Sequence, residues 1–92
     1  MIRAFKDKDT EAAFRQIRVK KLQPIARVAL RKLVQVDSAD ELRDLASPPA
    51  NRLDLLQANR AGQYSIRIND QYRICFRWKD GHAYDVEIVD YH

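Results

Sequence analysis

The sequence predicts an α+β domain, with N-terminal helices packed on one face of a mainly antiparallel, twisted sheet. Three observations predict it. Apolar residues recur at helical spacing through the first half. Beyond Pro48-Pro49 the apolar period changes to two, in three successive runs. The chain has 92 residues, 46% hydrophobic and 33% charged, which suits one small globular domain spanning 1–92 and is too apolar for a disordered tail.

Each element has a local reason. Residues 2–5 suit a short first strand. Asp7 or Asp9 can cap a helix running to about Ile17, on which Ala13, Phe14 and Ile17 share a face. Pro24 suits the first turn of a second helix, whose core stripe is Ile25, Val28, Ala29, Leu33 and Val36. Ser38 followed by Glu41 reads as a capping box for a short third helix carrying Leu42 and Leu45. Pro48-Pro49 ends it, and residues 53–56 suit another short strand. Then Tyr64, Ile66 and Ile68, next Tyr72, Ile74, Phe76 and Trp78, and last Tyr84, Val86 and Ile88 alternate with polar neighbours.

The alternation also predicts registers. A hairpin loop Asn69-Asp70-Gln71 pairs Ile68 with Tyr72 and Ile66 with Ile74. In the next hairpin a two-residue Asp80-Gly81 turn would set Asp85 against Phe76 on the core side. A three-residue loop, Lys79-Asp80-Gly81, pairs Phe76 with Tyr84, Ile74 with Val86 and Tyr72 with Ile88 instead. On the outward face Arg67 then opposes Arg73, Arg73 opposes Glu87, and Cys75 lies between Ser65 and Asp85. Two opposed arginines repel. Either they splay into water, with Glu87 pairing Arg73, or they hold an anion such as an RNA phosphate, to which the guanidinium fork is matched.

Charge is unevenly placed. The formal net charge is +4, but residues 1–36 carry +7, residues 37–50 carry −3 and residues 51–92 are neutral. Lys20, Lys21, Arg27, Arg31 and Lys32 belong to the basic segment. They suit either a solvated helix face or a surface that gathers polyanions. Cys75 is the single cysteine, so no internal disulfide framework or Cys-rich zinc site is expected, and a reduced, cytosolic compartment is. The opening MIRAFKDKD has no apolar core of the kind a signal peptide needs, and no apolar run approaches the ~18 residues of a membrane helix. The last three residues, Asp90-Tyr91-His92, supply a carboxylate, a phenol and an imidazole with a natural pKa near neutrality.

Several collinear blocks carry a resemblance: Met1 to Phe5, Glu41-Leu42-Arg43-Asp44-Leu45 through Pro48-Pro49, Asn51-Arg52-Leu53, Asn59 to Ile66, Asn69 to Phe76, and Tyr84 to His92. Over nearly the whole length the chain resembles the HigB toxins of the RelE/ParE superfamily, and is most similar to their GraT branch. The resemblance implies a RelE/ParE-like fold and a bacterial type II toxin–antitoxin system. It implies a toxin that enters the ribosomal A site, lies against 16S rRNA and cuts the mRNA there, with no metal or cofactor. It also implies a HigA-type helix-turn-helix antitoxin whose complex with the toxin binds operator DNA. A toxin aimed at gyrase, as in the ParE branch, and a non-catalytic ribosome- or RNA-binding module are the other readings.

For RNA cleavage the register assigns phosphate stabilisation to Arg73, with Arg67 assisting, and the resemblance places the terminal histidine and its neighbours in the active site. His92 is the candidate general acid or base, Tyr91 stacks on a base, and Asp90 orients the site. Arg60 contacts RNA or braces its loop. Many relatives have histidine where Asp54 stands and lysine where Gln57 stands. An ionised Asp54 can accept a proton but not donate one, so the division of acid and base roles stays open. His82 is expected in an exposed turn, and Cys75 as a small sheet residue rather than a nucleophile.

Overall fold

The computed structural model describes residues 1–91. Two α-helices, α1 (Lys8–Phe14) and α2 (Ala26–Ser38), lie on one face of a four-stranded antiparallel sheet. The strands are β1 (Asp54–Leu55), β2 (Tyr64–Arg67), β3 (Tyr72–Lys79) and β4 (His82–Asp90), in spatial order β1-β2-β3-β4. This is the helices-then-meander arrangement expected. Short 3₁₀ segments link the elements. No helix among the described residues is long and apolar enough to cross a membrane.

The core lies between the layers. Ala29, Leu33 and Val36 of α2, Leu45, and Ile66, Ile74, Phe76 and Val86 of the sheet are fully buried. Residues 2–5 run beside β4 and form two isolated parallel bridges, Ile2 to Ala83 and Phe5 to Val86, rather than a regular strand. Their hydrogen bonds cover the outer edge of β4, which would otherwise invite pairing with another chain. Buried Thr10 fastens α1 to the sheet through Oγ1, which accepts from the Ile88 amide at 2.9 Å.

The helices differ from expectation in three places. Helix α1 stops at Phe14, not near Ile17. Gln16 takes φ +62°, the Ile17 amide donates to the Ala12 carbonyl at 2.8 Å, and the Gln16 amide donates to Ala13 at 3.2 Å. That is a Schellman stop made without glycine, and it turns Ile17 outward, 60% exposed. Pro24 sits inside a 3₁₀ segment, Lys20–Ile25, that leads straight into α2. Ser38 is the last residue of α2, not a cap. The capping box belongs to Glu41 and Asp44, opening the 3₁₀ turn Leu42–Ala46.

The first hairpin has the expected register, with Ile66 opposite Ile74 and Arg67 opposite Arg73. The second does not. Lys79 pairs with His82 and Arg77 with Tyr84 across a two-residue Asp80-Gly81 turn. Both turn residues have positive φ, +52° and +81°, as a type I′ turn requires. Asp85 is then the extra residue of a bulge, at φ +52°. Its carboxylate swings out to Arg77 at 3.5 Å, and Val86 returns to the core. Beyond the bulge, Ile74 pairs with Ile88, Cys75 with Glu87 and Arg73 with Val89. The register is therefore offset by two residues from the expected one. There an offset of two keeps each side chain on its own face, so apolar alternation cannot distinguish the two; between turn and bulge the offset is one, so Tyr84 lies opposite Arg77 rather than Phe76 and buried Ala83 takes the core side.

Candidate functional site

The outward face of the sheet carries the site. Arg73 faces Val89, not Glu87. Its Nε donates to Ser65 Oγ at 2.8 Å, and a terminal nitrogen donates to the Arg52 carbonyl at 2.7 Å. Both acceptors are neutral. The opposed Arg67 is held by the Asp70 carboxylate on the hairpin loop. The like-charge conflict is thus split: one arginine is neutralised locally, and the other keeps its full charge.

Arg73 opens into a cleft of about 400 Å³ with Arg52, Asp54, Arg67 and Tyr91 on its walls. Leu56, Asn69 and Asp70 complete it. Three guanidiniums against two carboxylates leave the cleft net positive. A positive, open cleft with a phenol at its rim suits a phosphodiester chain with bases to stack.

Four of the sequence-derived site residues therefore meet: Asp54, Arg67, Arg73 and Tyr91. Tyr91 is tied back by its amide, which donates to the Gln71 carbonyl at 2.5 Å. Asp90 stands just outside the cleft wall, its Oδ2 accepting from Gln71 Nε2 at 3.2 Å. The Asn69-Asp70-Gln71 loop thus anchors the tail. Asn69 shapes that loop by accepting from the amides of Gln71 and Tyr72 at 2.9 and 2.7 Å. His92 lies outside the described residues.

Arg60 is elsewhere. It braces the 58–63 loop, bonded to Gln63 Oε1 at 3.2 Å and to Glu87 at 3.3 Å. Glu87 therefore pairs with Arg60 rather than Arg73. Cys75 is fully buried beside these groups, and burial pushes its thiol up from the ordinary value, so it stays protonated and unreactive at neutral pH.

The basic segment divides. Lys20, Lys21, Arg27 and Arg31 are exposed. Lys21 is bonded to Asp9 at 2.9 Å, which raises its pKa. Lys32 is not on that outer face: it is buried, with Nζ donating to Asn51 Oδ1 at 2.5 Å. Desolvation, with Arg31 nearby, lowers its pKa. A buried ammonium cannot dock on an outside polyanion, so Lys32 leaves the docking set. The Asn51 amide also donates to Gln35 Oε1, the Leu45 carbonyl and the Ser47 carbonyl at 3.1 to 3.2 Å.

Sequence reasoning missed Arg52, Asn69 and Asp70 as cleft residues. Asp70 was legible as a charge beside Arg67 on a three-residue loop. Arg52 was not, because nothing local announces its left-handed φ of +47°.

Solved toxin–antitoxin structures share this fold. The YoeB–YefM complex from Staphylococcus aureus aligns with a TM-score of 0.58 at 19% identity, covering 100% of this chain and 98% of that one. A crystal structure of the heterotetrameric YoeB–YefM toxin–antitoxin complex from the same organism gives the same figures. At such identity the likeness shows the fold alone. Sequence then settles the family. A family model described as the RelE-like toxin of type II toxin–antitoxin system HigB matches residues 3–92. Toxin HigB-1 of Vibrio cholerae serotype O1 is 42% identical over 81 residues, 86% of this chain and 85% of that protein. This chain belongs to the HigB-like toxin family of type II toxin–antitoxin systems.

Proposed function

We propose that this toxin is a ribosome-dependent, metal-independent endoribonuclease that cleaves mRNA in the ribosomal A site of the bacterial cytoplasm. The observation that carries the reading is Arg73, an arginine whose partners among the described residues are neutral, facing a positive cleft beside a phenol. RNA brings its own nucleophile. The 2′-OH attacks the adjacent phosphorus, the bond to the 5′-oxygen breaks, and the products are a 2′,3′-cyclic phosphate and a 5′-OH. Arg73 stabilises the extra charge on the phosphoryl oxygens, with Arg67 beside it. Asp54, as a carboxylate, can accept the 2′-OH proton, and His92 is the group able to give one to the leaving oxygen. Tyr91 stacks on the base next to the cut, and Asp90 steadies the tail through Gln71. Lys20, Lys21, Arg27 and Arg31 hold 16S rRNA phosphates during docking.

The partner proposed is a HigA-type helix-turn-helix antitoxin, its complex with the toxin binding operator DNA. A second groove, of about 370 Å³, lies on the helical layer between Ala13, Ile17, Val19, Leu22 and Leu30, flanked by Arg18 and Arg27. It shares no wall with the Arg73 cleft. An apolar antitoxin segment with acidic flanks fits it. The antitoxin on this seat blocks ribosome entry by bulk and leaves the cleft open.

The test is cleavage by purified toxin of mRNA on programmed ribosomes in the presence of EDTA-chelated zinc and fixed magnesium. Cuts within the A-site codon, absent without ribosomes, support the reading. No cuts, together with DNA-damage induction in cells, transfers the protein to gyrase. Toxicity that survives site variants but not helix Lys/Arg variants transfers it to a non-catalytic ribosome-binding module.

A further inference from the structure

We propose that Arg52 is a second phosphate-binding residue of the cleft, gripping the RNA phosphate next to the one held by Arg73; this rests on the RNA-cleaving reading above. Three observations converge on it. Arg52 lines the cleft beside Arg73 and Tyr91. Its backbone is left-handed, φ +47° and ψ +54°, a conformation that glycine or asparagine adopts more readily than a long side chain does. Strain of this kind persists where its surroundings over-determine it, and here they do. The preceding Asn51 is fully buried and fixed by bonds to Lys32, Gln35, Leu45 and Ser47. The Arg52 carbonyl is fixed from the other side by Arg73 at 2.7 Å.

The third observation is charge. Arg60, Arg67 and Arg77 each pair with a carboxylate, Glu87, Asp70 and Asp85 in turn. Among the described residues the Arg52 guanidinium has no carboxylate partner, and neither has that of Arg73. The two arginines left uncompensated on this face are neighbours, joined through one backbone carbonyl. A single phosphate needs one such fork, and a chain of phosphates has a use for both.

The test uses full-length toxin on programmed ribosomes, with single-turnover cleavage followed across toxin concentrations. The mRNA carries, in turn, an uncharged methylphosphonate at the linkage on either side of the scissile phosphate. Arg52→Gly keeps the carbonyl that Arg73 needs and relieves the left-handed backbone, so its melting temperature stays within a few degrees of the parent. Arg52→Asn serves as a second folded variant. We expect Arg52→Gly to raise the half-saturating concentration about tenfold, a change of ~1.4 kcal/mol, with the plateau rate little altered. The slope of log affinity against log salt should flatten by ~0.7, the contribution of one single-strand phosphate. Arg52→Lys should recover most of the loss. One of the two methylphosphonates should reproduce the defect in the parent and add nothing to it in Arg52→Gly. Unchanged saturation in Arg52→Gly, or additive losses at both linkages, overturns the inference. If Arg73→Ala also cleaves at the parent rate, the cleavage-site reading itself fails; if Arg73→Ala is inactive while Arg52→Gly is normal, only the role of Arg52 falls.

Discussion

Asn51→Leu should cost this small domain a large part of its stability. The Asn51 side chain is fully buried. It accepts from the Lys32 ammonium at 2.5 Å and donates to the Leu45 carbonyl at 3.1 Å, as well as to Gln35 and Ser47. Leucine fills the same space but leaves a buried ammonium without an acceptor and a buried carbonyl without a donor. A neutral bond lost with its partner left unsatisfied costs about 1–3 kcal/mol, and a charged partner more. The expected loss is therefore on the order of 3–5 kcal/mol, which in a domain of this size lowers Tm by more than about 12 °C. Urea titration reads it as a lower midpoint at unchanged slope. Replacing both partners, Lys32→Met with Asn51→Leu, should be markedly milder than Asn51→Leu alone, because the orphaned charge is then gone.

Lys32 also gives the effect a pH signature. Its folded pKa lies below the ordinary 10.5, so between the two values the unfolded chain holds more protons and stability rises with pH. Asn51→Leu widens that window downward, and Lys32→Met abolishes it. A loss below about 1 kcal/mol in Asn51→Leu, or equal losses in the single and double variants, would refute the argument that this network holds the 47–52 segment in place.

Further outcomes follow from other features. Burial raises the Cys75 pKa, so above the ordinary thiol value the unfolded chain loses its proton first and stability falls with pH; Cys75→Ala should remove that part of the fall, and native Cys75 should alkylate at least about tenfold more slowly than in urea. Asp85→Gly should leave Tm unchanged or raised, because glycine suits φ +52° and the exposed bond to Arg77 is weak, whereas Asp85→Val should lower stability by roughly 1–2 kcal/mol. Ile17→Asp should weaken antitoxin capture in a pull-down or calorimetric titration while leaving A-site cleavage intact; loss of both together would contradict separate surfaces.

Much of this molecule was legible before its structure. Period-two runs fixed three strands, and that parity together with a three-residue loop at Asn69-Asp70-Gln71 placed Arg67 opposite Arg73 on the outward face. Two of the misreadings share a physical cause: they are backbone choices that leave no local mark. Gln16 and Asp85 take left-handed conformations without being glycine, so neither the stop of α1 nor the bulge in β4 is written as a residue type. The bulge moves Glu87 from Arg73 to Cys75 and frees Arg73 for neutral partners. Lys32 looked like its exposed neighbours because helical spacing places it between faces; the Asn51 acceptor that draws it inward lies 19 residues on. Family resemblance supplied the terminal tail, and geometry added Gln71 as its anchor.

Arg73 tests the account most directly. Arg73→Ala leaves Ser65 and the Arg52 carbonyl accessible to water, so the protein should fold and still bind its antitoxin. Single-turnover cleavage of A-site mRNA on programmed ribosomes should drop by about a hundredfold or more, the loss typical of removing one transition-state donor. Growth inhibition in cells should vanish with it. Cleavage by Arg73→Ala at the parent rate would show that the cleft is not where the phosphate is held.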